Sequence, residues 1–186
     1  KIGLGVECGC NPEFYDLLKT RLEKRCWDQV GISCHFLKFD GMAHHLNMFS
    51  NRQENILLAR QIGADKILDR YFSLLTEAIQ RLPGTMLCHL DGALRFLPEI
   101  SLTDSHYLLI DKLLQTVKDS GMVIEINTSG FAIRQEQFPN RRILAMAQAY
   151  DIPFVFSSDA HKPNDVGRYF DMVSTNPGKR EGQQGL

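Results

Sequence analysis

The pattern of helices and strands is clearest in residues 103–127, TDSHYLLIDKLLQTVKDSGMVIEIN. Thr103 or Asp104 can cap a helix at its start, and Gly121 is a typical residue at a helix end. Residues 122–127 are apolar at nearly every position, as in a strand that is buried on both faces of a sheet. This stretch therefore predicts a helix followed by a strand of a parallel sheet.

The same unit recurs along the chain. Apolar runs and amphipathic stretches predict further strands at residues 2–7, 29–34, 85–88 and 153–157, and helices at residues 13–25, 67–82 and 141–150. Residues 38–51 have no periodic signal and are predicted to form a long loop. Alternating strands and helices favour a parallel sheet covered by helices, either an open doubly wound sheet or part of a barrel. No glycine-rich phosphate loop follows any strand, which argues against a nucleotide-binding sheet.

Composition excludes several classes of protein. The 186 residues include 21 Lys and Arg against 22 Asp and Glu, a formal net charge of −1, and 44% of them are hydrophobic. Near-neutral charge without a basic block argues against a nucleic-acid binder. No stretch approaches the ~20 apolar residues of a membrane span, so no membrane partner is predicted.

The cysteines indicate a reducing compartment, which we predict to be the cytoplasm. There are five of them, an odd number, and at least three lie in apolar runs, where cysteine behaves as a small hydrophobic residue. We therefore predict free thiols. The pair Cys8 and Cys10 leaves a zinc site as the alternative, although no second pair of cysteines completes a structural four-ligand site.

Side chains that bind metals stand at or just past the ends of the predicted strands. The carboxyl ends of parallel strands meet at one rim of a sheet or barrel, where ligands collect. Imidazole and carboxylate groups together suit Zn, Fe or Mn. The sequence therefore predicts a metal site formed by Glu7, His35, His89, Asp159 and His161.

The alternation of side chains along a strand predicts where neighbouring groups point. Asp159 and His161 are two residues apart and share one side if the chain is extended. The same rule places Cys34 and Cys88 opposite the adjacent histidines, towards the helices, where we expect them to pack. The remaining histidines are predicted to lie outside the site: His44 and His45 in the long loop and His106 on the surface.

A phosphate ester is the expected substrate of such a site. A hydrolytic metal site stabilises developing negative charge and lowers the pKa of bound water towards ~7. Arginines near the rim can bind phosphate as bidentate forks, and Arg134 is the first candidate, followed by Arg95 and Arg168. Glu125 and Asn127 share a face, and they can support the ligands or hold substrate.

Four segments of the chain match the sequence pattern of one known family: EINTSG at residues 125–130, RILAMAQ at 142–148, DIP at 151–153 and SDAHKPNDVG at 158–167. They resemble the histidinol-phosphatase branch of the polymerase-and-histidinol-phosphatase (PHP) superfamily. Earlier matches are GVE at residues 5–7, SCHF at 33–36 and CHLD at 88–91. The resemblance covers roughly residues 3–170 and is most specific from Val123 onward.

The resemblance implies a distorted (β/α)7 barrel with a trinuclear metal centre. The implied activity is hydrolysis of L-histidinol phosphate to L-histidinol and phosphate, in histidine biosynthesis, through metal-activated hydroxide. Glu7 would bridge two metals, and the complete site would use two to three ions of Zn, Mn or Fe. For this metal-dependent phosphomonoesterase with a small-molecule substrate, we expect Glu7, Asp159 and His161 to be catalytic and Arg134, Asn127 and Arg95 to bind phosphate.

Some features depart from the family pattern. The family opens with a His-x-His strand that is not present before Lys1, Cys88 stands where glycine is usual, and Leu94 stands where a basic residue is expected. We therefore predict an α/β fold, an incomplete distorted (β/α)7 TIM-like barrel with about five strand-helix units. Its domain is predicted at residues 1–172, followed by a polar, flexible tail at 173–186. The alternatives are a PHP phosphoesterase with another phosphate ester substrate, and a catalytically incompetent fragment.

Overall fold

The computed structural model describes residues 2–42, 44–97 and 99–173. Strands and helices follow one another along this part of the chain. The strands are β1 Gly5–Gly9, β2 Gln29–Ser33, β3 Phe36–Leu37, β4 Leu46–Asn47, β5 Met86–Leu87, β6 Val123–Asn127 and β7 Phe154–Ser157. The α-helices are α1 Tyr15–Glu23, α2 Gln53–Ile62, α3 Ala64–Arg81, α4 Asp104–Asp119, α5 Phe131–Arg134 and α6 Arg141–Ala149. None of the described helices is long and apolar enough to cross a membrane. The tail predicted at residues 173–186 lies outside the described residues, except for Val173.

Five strands form one parallel sheet. Their order across the sheet is β1-β2-β5-β6-β7, which is also their order along the chain. A doubly wound sheet reverses direction at a switch point, and the described strands contain no such reversal. The predicted α/β class with a parallel sheet is therefore confirmed.

The segment predicted as a loop at residues 38–51 contains regular structure. β3 and β4 form a short antiparallel pair in which Leu37 lies opposite Leu46. The pair brings Phe49 against the ring of His35, with 4.6 Å between the ring centroids. Strands of two residues are too short to show an alternating pattern, so sequence periodicity could not reveal them.

Helices α3 and α4 bury the apolar stripes that the sequence predicts. Every third or fourth residue of each helix, such as Ile67 and Tyr71 in α3 and Ile110 in α4, lies in the core. The surface position predicted for His106 is wrong, because its side chain is only 1% exposed. Its Nδ1 accepts a hydrogen bond from the backbone N–H of Thr103 at 3.0 Å. The ring is therefore a buried helix cap, a role that periodicity does not reveal.

The packing of α4 predicts the effect of a small core substitution. Ile110 is fully buried, so Ile110→Val is expected to lower the free energy of unfolding by roughly 0.5–1.5 kcal/mol. The matched control is Ile133→Val in α5, where the side chain is exposed and little change is expected. Urea denaturation followed by circular dichroism measures both variants. Equal effects of the two substitutions would contradict the buried position of Ile110.

Candidate metal centre

Three of the predicted ligands come together at the rim of the sheet. Glu7 lies in the middle of β1 rather than at its end, whereas His35 and His89 each stand two residues past the end of a strand. Oε1 of Glu7 lies 2.9 Å from Nε2 of His35 and 3.1 Å from Nε2 of His89. The two histidine nitrogens are 3.4 Å apart. Among the described residues, this is the one group whose ligand atoms all lie within 4.8 Å of one another.

The three ligand atoms fit around a single divalent ion. Zinc ligands lie about 2.0–2.2 Å from the ion, so two ligands of a tetrahedral ion are about 3.4 Å apart. The observed separations of 2.9, 3.1 and 3.4 Å are close to this spacing. Two imidazoles and a carboxylate also suit zinc, iron and manganese by their chemistry. The group can therefore hold a divalent ion and leave a further position for water or substrate.

The backbone at His89 turns the side chain towards Glu7. β5 ends at Leu87, and His89 has a φ of 26°, which is uncommon for a residue other than glycine. Oε2 of Glu125 accepts a hydrogen bond from the backbone N–H of His89 at 2.7 Å and so holds the turn. The ring of His89 is buried, with the ring of Phe49 at 4.8 Å. Glu125 therefore supports a candidate ligand through the backbone.

The orientation predicted for Cys88 is wrong. Alternation predicts that this thiol points towards the helices, but Cys88 lines a cavity together with Glu7 and Glu125. Cys88 lies on the same side of the strand as Met86, which lines the same cavity, and the positive φ at His89 brings the following side chain to the site as well. Cys34, in contrast, packs in the hydrophobic core as predicted. All five cysteines are free thiols, as predicted.

Contacts within the three-residue group shift the pKa values of Glu7 and His89. Burial alone would raise the pKa of Glu7, but hydrogen bonds with His35 and His89 outweigh it and hold this pKa well below its usual range. Burial would lower the pKa of His89, but the hydrogen bond to Glu7 and the charge of Glu125 outweigh it and raise this pKa. The arrangement therefore stabilises a protonated His89 beside an ionised Glu7. A metal ion can take the place of this proton.

Asp159 and His161 lie at the same rim but outside the three-residue group. Together with Glu7 they line a cavity of about 330 Å³. β7 ends at Ser157 and Asp159 has a φ of 49°, so the same-side rule for an extended chain does not apply. Nδ1 of His161 lies 3.0 Å from the carbonyl oxygen of Asp159 and 3.7 Å from its Oδ1. Metal binding by these two residues stays a prediction.

Two of the predicted phosphate-binding residues meet beside Asp159. Nη1 of Arg95 donates a hydrogen bond to Oγ of Ser129 at 3.1 Å and lies 4.0 Å from Oδ2 of Asp159. Oγ of Ser129 in turn donates to Oδ1 of Asn127 at 2.6 Å. Nδ2 of the buried Asn127 has no hydrogen-bond partner among the described residues. Arg95 and Asn127 therefore offer donors close to the candidate centre.

The other two arginines hold loops near the site. Nη1 of Arg134 donates to the carbonyl oxygen of Leu94 at 3.0 Å, which ties α5 to the turn that follows His89. Nε of Arg168 donates to the carbonyl oxygen of Ser158 at 3.2 Å. The structure therefore gives both side chains a positioning contact, and phosphate binding by Arg134 stays a prediction.

Three residues near the site were not identified from the sequence. Phe49 contacts both histidine rings, and no motif or periodicity marks it. Ser129 and Asp91 lie inside the matched segments EINTSG and CHLD, so a signal existed for them. Burial raises the pKa of Asp91 to about 7, although its Oδ2 accepts a hydrogen bond from the backbone N–H of Asn140 at 2.9 Å. Asp91 thus anchors the start of α6 to the turn after His89.

Comparison with known sequences gives a consistent set of relatives. A family model described as PHP-associated matches residues 137–181. The chain is 26% identical over 174 residues to a Deinococcus radiodurans protein named Probable histidinol-phosphatase, across 92% of this chain and 62% of that protein. A Schizosaccharomyces pombe protein of the same name is 24% identical over 175 residues, across 88% of this chain and 54% of that protein. The chain therefore spans less than two thirds of the length of these curated relatives.

Comparison with solved structures shows the same fold. A protein named putative histidinol phosphatase HisK from Listeria monocytogenes matches over 93% of this chain and 68% of its own length, with a TM-score of 0.77 and 20% identity. Histidinol phosphate phosphatase from Lactococcus lactis, solved with zinc, L-histidinol and phosphate, matches 87% of this chain and 59% of its own, with a TM-score of 0.60 and 17% identity. Taken with the family model and the curated relatives, the likeness confirms the resemblance found in the sequence. The chain is therefore similar to proteins named histidinol-phosphatase and to the PHP-associated family model.

Proposed function

We propose that this chain carries the centre of a metal-dependent phosphomonoesterase that hydrolyses L-histidinol phosphate to L-histidinol and phosphate. The observation that carries the proposal is the convergence of Glu7, His35 and His89 at the rim of a parallel sheet. Active sites of (β/α) barrel enzymes lie at this rim. The Lactococcus lactis relative was solved with zinc, L-histidinol and phosphate, which supports the same chemistry here.

The proposed roles follow from the positions of the residues around the cavity. A bound divalent ion would polarise a phosphoryl oxygen and lower the pKa of a water molecule towards ~7. Glu7, His35 and His89 would hold one ion, because their ligand atoms already converge. Asp159 and His161 line the same cavity as Glu7 and would hold a second ion. The complete site would use two to three ions of Zn, Mn or Fe.

The phosphate of the substrate would lie on the Arg95 side of the cavity. Arg95 and Asn127 both form a hydrogen bond with Ser129, next to Asp159. Their N–H donors therefore lie on one side of the cavity. A guanidinium group has five N–H donors, so Arg134 could keep its bond to Leu94 and still donate to a phosphate oxygen. These residues would orient the ester and balance its negative charge.

We further propose that the sheet is part of a distorted (β/α)7 barrel. The five parallel strands follow one another in chain order, as they do in a barrel wall. Apolar side chains at both outer strands are exposed, including Leu4 next to β1 and Val155 and Phe156 in β7. Outer strands of this kind can pair with further strands, as closure of a barrel requires.

A phosphoesterase with another small-molecule substrate is the second candidate. The three-residue group suits any phosphate monoester, because a metal site recognises the phosphate rather than the alcohol. Specificity resides in loops, and the segment around β3 and β4 next to His35 is such a loop.

The cytoplasm stays the proposed location, since all five cysteines are free thiols.

Phosphate release by the purified chain tests the proposal. The chain is assayed with L-histidinol phosphate and with a panel of other phosphate esters, with added zinc, manganese or iron. We expect metal-dependent release, with the highest kcat/KM for L-histidinol phosphate. Preference for a nucleotide or a phosphodiester would contradict the substrate. Bound metal without any turnover would contradict catalysis by this chain and would favour the catalytically incompetent alternative.

A further inference from the structure

A second cavity lies beside the candidate metal centre, past the carboxyl ends of β1 and β2. Its volume is about 630 Å³. Its walls come from the turn after β1, from the segment around β3 and β4 and from α3, and their polar residues are Asn11, Glu13, His35, Lys38, His45 and Arg70. His35 is the residue that this cavity shares with the three-residue group. The residues proposed to bind the phosphate of the substrate do not line it.

Arg70 is a half-buried arginine without a partner. Four arginines among the described residues are half-buried: Arg70, Arg95, Arg134 and Arg168. The last three each donate a hydrogen bond to a described residue, and Arg70 donates none. A guanidinium has five N–H donors and stays charged, so its partial burial without an acceptor is unfavourable. The position of Arg70 in the wall of a cavity therefore points to an anionic ligand.

The charge of Arg70 lies close to the core. Burial raises the pKa of the hydroxyl of Tyr15, and the positive charge of Arg70 opposes this rise. Tyr15 is 3% exposed, and its hydroxyl has no hydrogen-bond partner among the described residues. A charge near such a buried group is less screened than a charge in open water, so its attraction for an anion is stronger.

The other polar groups leave the cavity with an excess of positive charge. Glu13 is the one carboxylate among the described residues of its wall. Nζ of Lys38 donates to Oε1 of Glu13 at 2.5 Å, so these two charges balance each other and Arg70 remains. Oδ1 of Asn11 accepts a hydrogen bond from the backbone N–H of Glu13 at 3.1 Å. This bond leaves the NH2 group of Asn11 to donate to another acceptor.

We propose that Arg70 is the centre of an anion site in this cavity, where its guanidinium binds a small oxyanion, either a carboxylate or a phosphate group. Two parallel N–H donors of a guanidinium match two oxygens of either group. Lys38 and Asn11 offer further donors from other parts of the wall. The site does not depend on the proposed phosphatase activity, because Arg70 belongs neither to the three-residue group nor to the side of Arg95 and Asn127.

Titration with two anions, followed by NMR, tests the proposal. The purified chain is titrated with propionate and separately with inorganic phosphate, and the amide signal of Leu74 in the wall of the cavity is followed. We expect a saturable shift with at least one anion. Arg70→Gln should weaken that binding at least about 10-fold, because it removes hydrogen bonds from a charged donor. No saturable shift with either anion, or equal affinity in the variant, would overturn the proposal.

The two anions and three further variants locate the site. Saturation by propionate alone assigns it to carboxylates, and saturation by phosphate alone assigns it to phosphate groups. Arg52→Gln removes an exposed positive charge next to α2 and should keep the affinity. Lys38→Gln removes the exposed cation that balances the carboxylate of the cavity, so it should weaken binding even if Arg70→Gln does not fold. Arg95→Gln should leave the Leu74 titration unchanged. A titration that Arg95→Gln abolishes and Arg70→Gln does not would overturn the proposal.

Discussion

Replacing His35 with Asn is expected to weaken zinc binding at the Glu7, His35 and His89 group by at least about 100-fold, since even outer-shell partners of a metal contribute 10–100-fold. Nε2 of His35 lies 2.9 Å from Oε1 of Glu7 and 3.4 Å from Nε2 of His89, so the substitution removes one of three convergent ligands. Phosphate release should fall with the loss of the ion. Competition with a fluorescent zinc chelator measures the affinity.

The matched control for this variant is His44→Asn. His44 is exposed in the segment before β4 and belongs to no ligand group among the described residues. Its replacement should leave zinc affinity unchanged. Equal zinc affinity for His35→Asn and His44→Asn would show that zinc binds elsewhere and would remove the basis of the proposed function.

The sheet and the convergence of the ligands could be predicted because both depend on simple rules. Four of the six residues at 122–127 are apolar, three of them in succession, which favours a strand covered on both faces, and β6 lies there. Parallel strands present their carboxyl ends at one rim, so His35 and His89 meet although 54 residues separate them. Neither rule requires knowledge of loop conformation.

The orientation of individual side chains could not be predicted, since it depends on contacts between distant residues. The φ of 26° at His89 is held by Glu125, 36 residues further along the chain, and this turn directs the His89 ring towards Glu7. The φ of 49° at Asp159 likewise ends the alternation that predicts a shared side for Asp159 and His161. His106 is buried because its ring caps α4, and a polar residue at a helix start looks exposed from sequence alone.

Gly130→Ala is expected to lower the free energy of unfolding by about 3 kcal/mol or more, at or above the upper end of the usual effect of overpacking. An added Cβ would overlap the backbone oxygen of Glu136 and lie 3.1 Å from the ring of Phe138. A flexible side chain could move aside, but a backbone oxygen can move only with its segment. The substitution must therefore displace residues 136–138.

That displacement would reach the phosphate side of the candidate site. The backbone of Phe138 exchanges two hydrogen bonds with Asn127, at 2.7 and 3.0 Å. Oδ1 of Asn127 accepts a hydrogen bond from Oγ of Ser129, which also accepts one from Arg95. A shift of residues 136–138 would disturb this chain of contacts. We therefore expect Gly130→Ala to raise the KM for the phosphate ester as well as to destabilise the fold.

Gly9→Ala is the matched control for steric overlap. Gly9 lies in β1, and a Cβ added there meets no atom within 4 Å, so the substitution should change the free energy of unfolding little. Urea unfolding gives the stability of both variants, and assays of phosphate release at a temperature where both are folded give the KM. If Gly130→Ala were as stable as Gly9→Ala, residue 130 could not lie against the backbone of Glu136. If it were destabilised without a change in KM, Asn127 and Ser129 would not position the groups that bind phosphate.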